Sequence, residues 1–158
     1  MTNLVMPKLD RKLISKKENI VNNLKKIINP ENVIDHEDEL KPFETDGLSA
    51  YKQKPLIVVF PENTQEVSKI LALCNKEKIK VVPRGAGTGL SGGALPLADC
   101  VLLCLGKFNK ILEIDYPNRC VVAQPGVTNL SITEAVQEKN FYYAPDPSSQ
   151  ITCYIDGN

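Results

Sequence analysis

The sequence predicts an α+β domain, a small mixed sheet flanked by helices. Three observations lead there. Five short runs rich in Val, Ile, Leu and Cys have the length of strands. Between and around them lie longer stretches whose apolar residues recur at helical spacing. At 158 residues and 42 % hydrophobic composition, the chain is long enough and apolar enough for one domain with a real core.

The elements follow in order. From Asp10 to Ile28 the apolar positions Leu13, Ile14, Ile20, Val21, Leu24, Ile27 and Ile28 form a helical stripe, which Asn29-Pro30 ends. Residues 1–30 are therefore expected to be an N-terminal helix, and 31–158 the main domain. Asn32 to Pro55 is polar and reads as an irregular approach segment. Leu56 to Phe60 is a buried strand by composition, closed by Pro61. Asn63 and Glu66 then stand at capping-box spacing, and Val67, Ile70, Leu71 and Cys74 supply the apolar face of a helix. With Ile79 to Val82 as the next strand, Leu56 to Val82 reads as a β-α-β unit. Cys100 to Leu105, Ile111 to Asp115 and Cys120 to Gln124 are three further strands, the last two joined at Tyr116-Pro117-Asn118. A second helix is expected over Asn129 to Lys139, capped by Thr128 or Asn129. Phe141 to Asn158, rich in Pro, Asp and Ser, reads as a structured loop.

The chemistry concentrates in Pro83 to Gly93, PRGAGTGLSGG. Five of the nine glycines fall between Gly85 and Gly93. Glycine lets a backbone take positive φ and approach a ligand closely. Successive N–H groups in such a turn form a nest for an anion, and Thr88 and Ser91 add hydroxyl donors. The pattern suits a diphosphate. Gly87, Gly89 and Gly92 spell GxGxxG, with Glu113 about 20 residues on. That fingerprint needs a helix directly after it, and Gly93-Ala-Leu-Pro96 starts none. A phosphate loop of the Gly-Lys-Ser/Thr type fails for want of the Lys. A loop between two strands, with no helix required, is the third option.

Composition excludes other classes. Formal net charge is zero, so a basic footprint for nucleic acid is missing. The five cysteines form no CxxC pair, and His36 is the single histidine, which leaves no zinc pattern. The thiols read as buried residues of a reducing compartment, and the expected location is the cytoplasm. No apolar run approaches the ~20 residues of a membrane span.

Around the glycine loop the residues take on a family likeness. PRGAGTGLSGG resembles the pyrophosphate loop of FAD-linked oxidases of the vanillyl-alcohol oxidase type, most of all the flavin subunits of glycolate oxidase and D-lactate dehydrogenase. ETDGLSAY (Glu44 to Tyr51), VVFPENTQEVSKIL (Val58 to Leu71), QPGVTNL (Gln124 to Leu130) and APDPSSQ (Ala144 to Gln150) resemble the same family in the same order. The resemblance covers nearly the whole chain from about Glu31. It implies the first subdomain of a vanillyl-alcohol-oxidase-type FAD-binding fold, with FAD as cofactor. It implies further that Pro83, Arg84, Gly85, Ala86, Gly87, Thr88, Gly89, Leu90 and Ser91 contact the pyrophosphate and ribose, largely through backbone amides. Pro125 and Gly126 would line the adenine side. Pro145, Asp146 and Ser149 would approach the flavin-proximal part, and Gly157 and Asn158 complete the set.

In the family, DPSSQ is followed by a small residue and then Ile-Gly-Gly-Asn. Here Thr152 to Asn158 reads TCYIDGN, with Tyr154 where Ser or Thr is usual and Asp156 in place of the first glycine. An aspartate there adds bulk and negative charge beside a diphosphate. Members of the family also continue into the rest of the flavin domain and a substrate-binding cap. The expectation is thus the FAD-binding portion of an oxidoreductase that oxidises a 2-hydroxy acid, glycolate or D-lactate, to the 2-oxo acid, inactive without its substrate domain and carrying no catalytic residue of its own. Partners would be the small 2-hydroxy acid, a C-terminal half and other oxidase subunits. A truncated, non-catalytic remnant is the alternative, and an NAD- or ATP-binding module a weaker one.

Overall fold

The computed structural model of the chain describes residues 7–157. In chain order its elements are α1 (Arg11–Ile14), α2 (Lys17–Leu24), β1 (Val33–Ile34), α3 (Glu37–Leu40), β2 (Ile57–Val59), α4 (Thr64–Glu77), β3 (Lys80–Arg84), β4 (Cys100–Cys104), β5 (Ile111–Asp115), β6 (Cys120–Ala123) and α5 (Asn129–Val136). A four-stranded sheet has the order β1-β2-β4-β3, and β5 and β6 form a separate antiparallel pair. β1 runs antiparallel to β2, whereas β2 and β3 both run parallel to β4. The sheet is mixed and the class is α+β, as the sequence predicts.

β2 and β4 are buried along their whole length, which is why they read as unbroken apolar runs. Their side chains alternate between two cores. Ile57, Val59, Val101 and Leu103 face α2 and α4 through Ile20, Val21, Leu24, Ile70 and Cys74. Val58 and Leu102 face the other way, onto Leu40, with Phe43 and Phe60 packed alongside. β3 is an edge strand, where Pro83, lacking an N–H, is tolerated. The β-α-β unit forms, but β4 inserts between its two strands.

Three differences from the sequence expectation have local causes. The helix expected over Asp10 to Ile28 is split into α1 and α2 at Ser15-Lys16. Ser15 turns its hydroxyl back to the Lys12 carbonyl at 2.9 Å, a bond that competes with helix continuation. The segment is also no separate unit, since Leu13, Ile20, Val21, Leu24 and Ile28 belong to the main core. Between Asn32 and Pro55 lie β1 and α3, each too short to show a period. On α4 the buried positions are Ile70 and Cys74, with Val67 packed against the core, whereas Leu71 is 44 % exposed. The Asn63 cap does form. Its Oδ1 accepts from Glu66 N at 2.9 Å, and Glu66 Oε2 accepts from Glu62 N at 2.7 Å.

The register brings the carboxyl ends of β3 and β4 side by side, Arg84 opposite Cys104. In open α/β sheets ligands bind outside the carboxyl ends of parallel strands. The glycine-rich loop starts at that point.

Candidate cofactor-binding site

The glycine loop leaves β3 at Arg84 and passes through turns into β4, with no helix after it. The helix-capped dinucleotide and nucleoside-triphosphate loops are thereby ruled out, and the strand-to-strand loop is the one observed. Glu113 is exposed on β5 and lines no cavity with the loop.

Gly87 and Gly92 have φ of +75° and +77°, conformations that glycine adopts without strain. A Cβ on Gly89, Gly92 or Gly93 would meet nothing within 4 Å, so the chain there faces open space. Among the described residues, no hydrogen bond within the chain engages the amides of Gly85 to Ser91. Unengaged N–H groups on a glycine turn are what an anion nest requires.

The loop is anchored from behind. The Arg84 guanidinium donates from Nη1 to the Thr45 carbonyl at 2.7 Å and lies 6.0 Å from the centre of the Phe43 ring. It also fills the space beside Gly87, where a Cβ would come within 2.7 Å of Nε. Gly47 supports the loop from the same segment. A Cβ on it would stand 2.5 Å from the Thr88 carbonyl oxygen and 2.8 Å from that of Gly89.

Facing the loop is the stretch from Ser149 to Asp156. Four backbone bonds dock it on the start of α5 and the turn before it. They run from Leu130 N to Gln150 O, Asn129 N to Cys153 O, Ile155 N to Val127 O and Asp156 N to Pro125 O, at 3.0–3.2 Å. Loop and stretch enclose a cavity of about 380 Å³ lined by Pro83 to Gly89, Gly93, Ala94, Ser149, Cys153, Tyr154 and Asp156. That volume is at the low end for ligand pockets and suits a diphosphate rather than a whole dinucleotide. A larger hollow of about 820 Å³ lies between β5, β6 and α5, and none of the expected site residues lines it.

The expected residues therefore divide. Pro83, Arg84, Gly85, Ala86, Gly87, Thr88, Gly89 and Ser149 share the cavity. Leu90 and Ser91 are exposed at the loop tip outside it. Gly126 is pressed against the turn after β4: its N–H donates to Phe108 O at 2.7 Å, and a Cβ would lie 2.5 Å from Leu105 O. Close backbone packing accounts for that glycine. Pro125 offers its carbonyl to Asp156 N, and Pro145 its carbonyl to Asn129 Nδ2 at 3.1 Å. Pro145 and Asp146 are exposed and lie outside the cavity. Gly157 closes a short 3-10 turn, and Asn158 lies outside the described residues. Sequence reasoning places Gly93 in the loop and Gly47 in ETDGLSAY without giving either a contact, and it misses the wall residues Ala94 and Cys153.

Asp156 is the discordant group. Its carboxylate is turned onto the loop, and a Cβ on Gly85 would come 2.8 Å from Oδ2 and 2.9 Å from Cγ. Although much of the residue meets solvent, burial of the carboxyl pushes its pKa above the ordinary carboxylate value. Tyr154 lies across Gly106, with its hydroxyl 3.1 Å from where a Cβ would stand. The open nest, the hydroxyls of Thr88 and Ser149 and the unengaged amides fit a diphosphate. The Asp156 carboxylate opposes one.

Fold and loop together define the cofactor-binding domain of a flavoprotein. Residues 55–158 match the family described as FAD binding domain, and the chain belongs to that family, with FAD as its cofactor. It is 53 % identical over 126 residues to the glycolate oxidase subunit GlcD of Escherichia coli K12, covering 80 % of this chain and 25 % of that protein. Identity to the GlcD subunit of Bacillus subtilis is 40 % over 129 residues, covering 82 % and 27 %. With the D-lactate dehydrogenase of Anaerostipes hadrus it is 35 % over 134 residues, covering 84 % and 28 %. Among solved structures, p-cresol methylhydroxylase with substrate bound superposes with a TM-score of 0.70 at 26 % identity, over 87 % of this chain and 27 % of that one. An alkyldihydroxyacetonephosphate synthase shares the fold, with a TM-score of 0.76 at 20 % identity over 98 % and 30 %. The chain spans about a quarter of the length of the curated relatives it matches.

Among the described residues no helix is long and apolar enough to cross a membrane, and no cluster of His, Cys, Asp and Glu could hold a metal ion.

Proposed function

We propose that this chain is the FAD-binding portion of a flavin-dependent oxidoreductase that converts a 2-hydroxy acid, glycolate or D-lactate, to the 2-oxo acid. The observation that carries the proposal is the single cavity in which the unengaged amides of Gly85 to Gly89 meet the Ser149–Asp156 stretch. The similarity to glycolate oxidase subunits and to a D-lactate dehydrogenase supports the substrate class.

The residues divide the work. Amides of Gly85 to Gly89 hold the diphosphate, with the Thr88 and Ser149 hydroxyls as further donors. The Arg84 guanidinium, already committed to Thr45, positions the loop rather than the ligand. Pro125 and Gly126 fix the turn on which the Ser149–Asp156 stretch is docked, and Pro145 and Asp146 shape the approach to it. Gly157 and Asn158 extend that wall. FAD, when bound, supplies the acceptor for the substrate's hydride. Substrate recognition belongs to further polypeptide, and the protein works in the cytoplasm.

Titration of the purified chain with FAD, followed by quenching of flavin fluorescence, tests the reading. Saturable binding with one site per chain is expected. No saturation at high micromolar FAD would rule out a self-sufficient site. The Asp156 carboxylate in front of Gly85 favours a second reading, a non-catalytic remnant that holds no flavin. Oxidation of glycolate or D-lactate by the protein that contains this chain, with a dye as acceptor, separates the two.

A further inference from the structure

We propose that Asp156 is an anionic stopper at the glycine loop: its carboxylate stands in front of Gly85, where a diphosphate would enter, and must swing out or take a proton before the site fills. This rests on the FAD reading of the loop.

The geometry has three parts. The Asp156 carboxylate lies close enough to Gly85 to collide with any side chain placed there. It lines the same cavity as the loop amides. The residue is not swinging on a loose tail, because its own N–H is bonded to Pro125 O at 3.2 Å and Ile155 N to Val127 O at 3.0 Å. Backbone docking therefore holds the carboxylate at the loop. The other charged or titratable side chains lining the cavity are Arg84, from the end of β3, and Cys153 and Tyr154, from the Asp156 side. The Arg84 guanidinium is bonded to the Thr45 carbonyl behind the loop. A diphosphate entering the nest would meet like charge at contact distance, where repulsion is strong.

The sign with pH follows. Burial raises the Asp156 pKa, so the carboxyl takes up its proton at higher pH than an ordinary aspartate. The diphosphate keeps its charges over the same range. Binding therefore tightens as pH falls, and the complex takes up a proton on forming.

The experiment uses the whole chain, wild type, Asp156→Asn and Asp156→Gly, each checked for a native circular dichroism spectrum and melt. FAD affinity is measured by flavin fluorescence between about pH 4 and about pH 8, from the ordinary carboxylate range upward. At neutral pH both variants should bind FAD at least about tenfold more tightly than wild type. The wild-type affinity should rise toward low pH, and that slope should vanish in Asp156→Asn. Inorganic pyrophosphate, followed by calorimetry, should show the same order and locate the effect at the diphosphate. Equal FAD affinity of wild type and Asp156→Asn across the range would overturn the stopper and leave the FAD reading intact. Weaker binding by both variants would overturn it too, by making the carboxylate part of the grip. Absence of binding in all three proteins at every pH would instead sink the FAD reading.

Discussion

The guanidinium of Arg84 donates to the carbonyl of Thr45 at 2.7 Å, joining the root of the glycine loop to a segment 39 residues earlier in the chain. That bond spans the carboxyl end of β3 and the turn after α3, and the Phe43 ring packs beside it. Replacing Arg84 by Met keeps most of the bulk and removes a charge-assisted hydrogen bond, a loss of about 1–2 kcal/mol. Thermal unfolding should shift downward accordingly. Because the arginine holds the loop in place, FAD affinity should fall by about tenfold as well. Arg84→Lys should recover part of the stability but not the loop geometry, since a lysine has no planar fork. An Arg84→Met protein with wild-type FAD affinity would show that the loop keeps its shape without the tie.

Gly47 gives a sharper steric test. A methyl group there would meet the Thr88 and Gly89 carbonyl oxygens and the Thr88 carbonyl carbon at 2.5–2.9 Å. All three are backbone atoms, so the loop itself has to move. Gly47→Ala should cost about 1–3 kcal/mol, as overpacking generally does, and weaken FAD binding. Gly89→Ala is the control, because a Cβ there faces open space. It should leave unfolding nearly unchanged while still reducing FAD affinity, since the methyl projects toward the ligand side. Fluorescence titration and melting of the two proteins check the contrast.

These two residues mark where the sequence was legible and where it was not. The loop itself was plain from Gly85 to Gly93, because positive φ and close approach select glycine and the interleaved small residues leave amides open. The buried pair β2 and β4 was equally plain, since strands covered on both faces are apolar throughout. What lies behind the loop was hidden. Arg84 looked like a phosphate contact, and only the fold shows that it is bonded backward to Thr45. Gly126 looked like a ligand-facing glycine, and its constraint is the Leu105 carbonyl. Contacts across many residues leave no local period, and β1 and α3 are too short to make one. The Asp156 departure was visible as a residue type, whereas its position against Gly85 needed the fold.

Asp99 predicts an acid limit on stability. It is 2 % exposed, accepts from Lys80 Nζ at 2.7 Å and from Asp10 N at 3.0 Å, and so pins α1 to the start of β4. Burial works against its charge, but the Lys80 hydrogen bond, the Asp10 amide and the Lys80 charge outweigh it and hold the pKa below 3.8. A folded pKa below the unfolded one stabilises above about pH 4 and loses that contribution as pH falls through the folded value. Lys80 is 41 % exposed, so solvent screens the pair and the contribution is about 1 kcal/mol. Asp99→Asn should lower the urea midpoint at neutral pH and flatten the fall in stability below about pH 4. An unchanged acid limb in the variant would remove Asp99 as its cause.

The thiols make the last prediction. None of the five cysteines is in a disulfide; Cys120 on β6 is exposed, while Cys74, Cys100, Cys104 and Cys153 are buried. Burial pushes Cys74 and Cys100 up to about 11 and Cys104, against a smaller pull from Arg84, up to about 12. A thiol held protonated and enclosed reacts slowly with an alkylating reagent. Iodoacetamide at neutral pH should therefore modify Cys120 before Cys74, Cys100 and Cys104, which react only as the fold opens. Mass spectrometry of the folded and urea-unfolded protein reads this directly. The same shifts set an alkaline limit. A raised folded pKa contributes stability below the unfolded value near 9 and loses it as pH rises toward 11–12. Stability measured across that window should decline, and Cys104→Ala should soften the decline at the expense of a cavity beside Val58 and Leu102. Fast labelling of Cys104 in the folded protein would mean that the carboxyl end of β4, and with it the floor of the glycine loop, opens far more often than its burial implies.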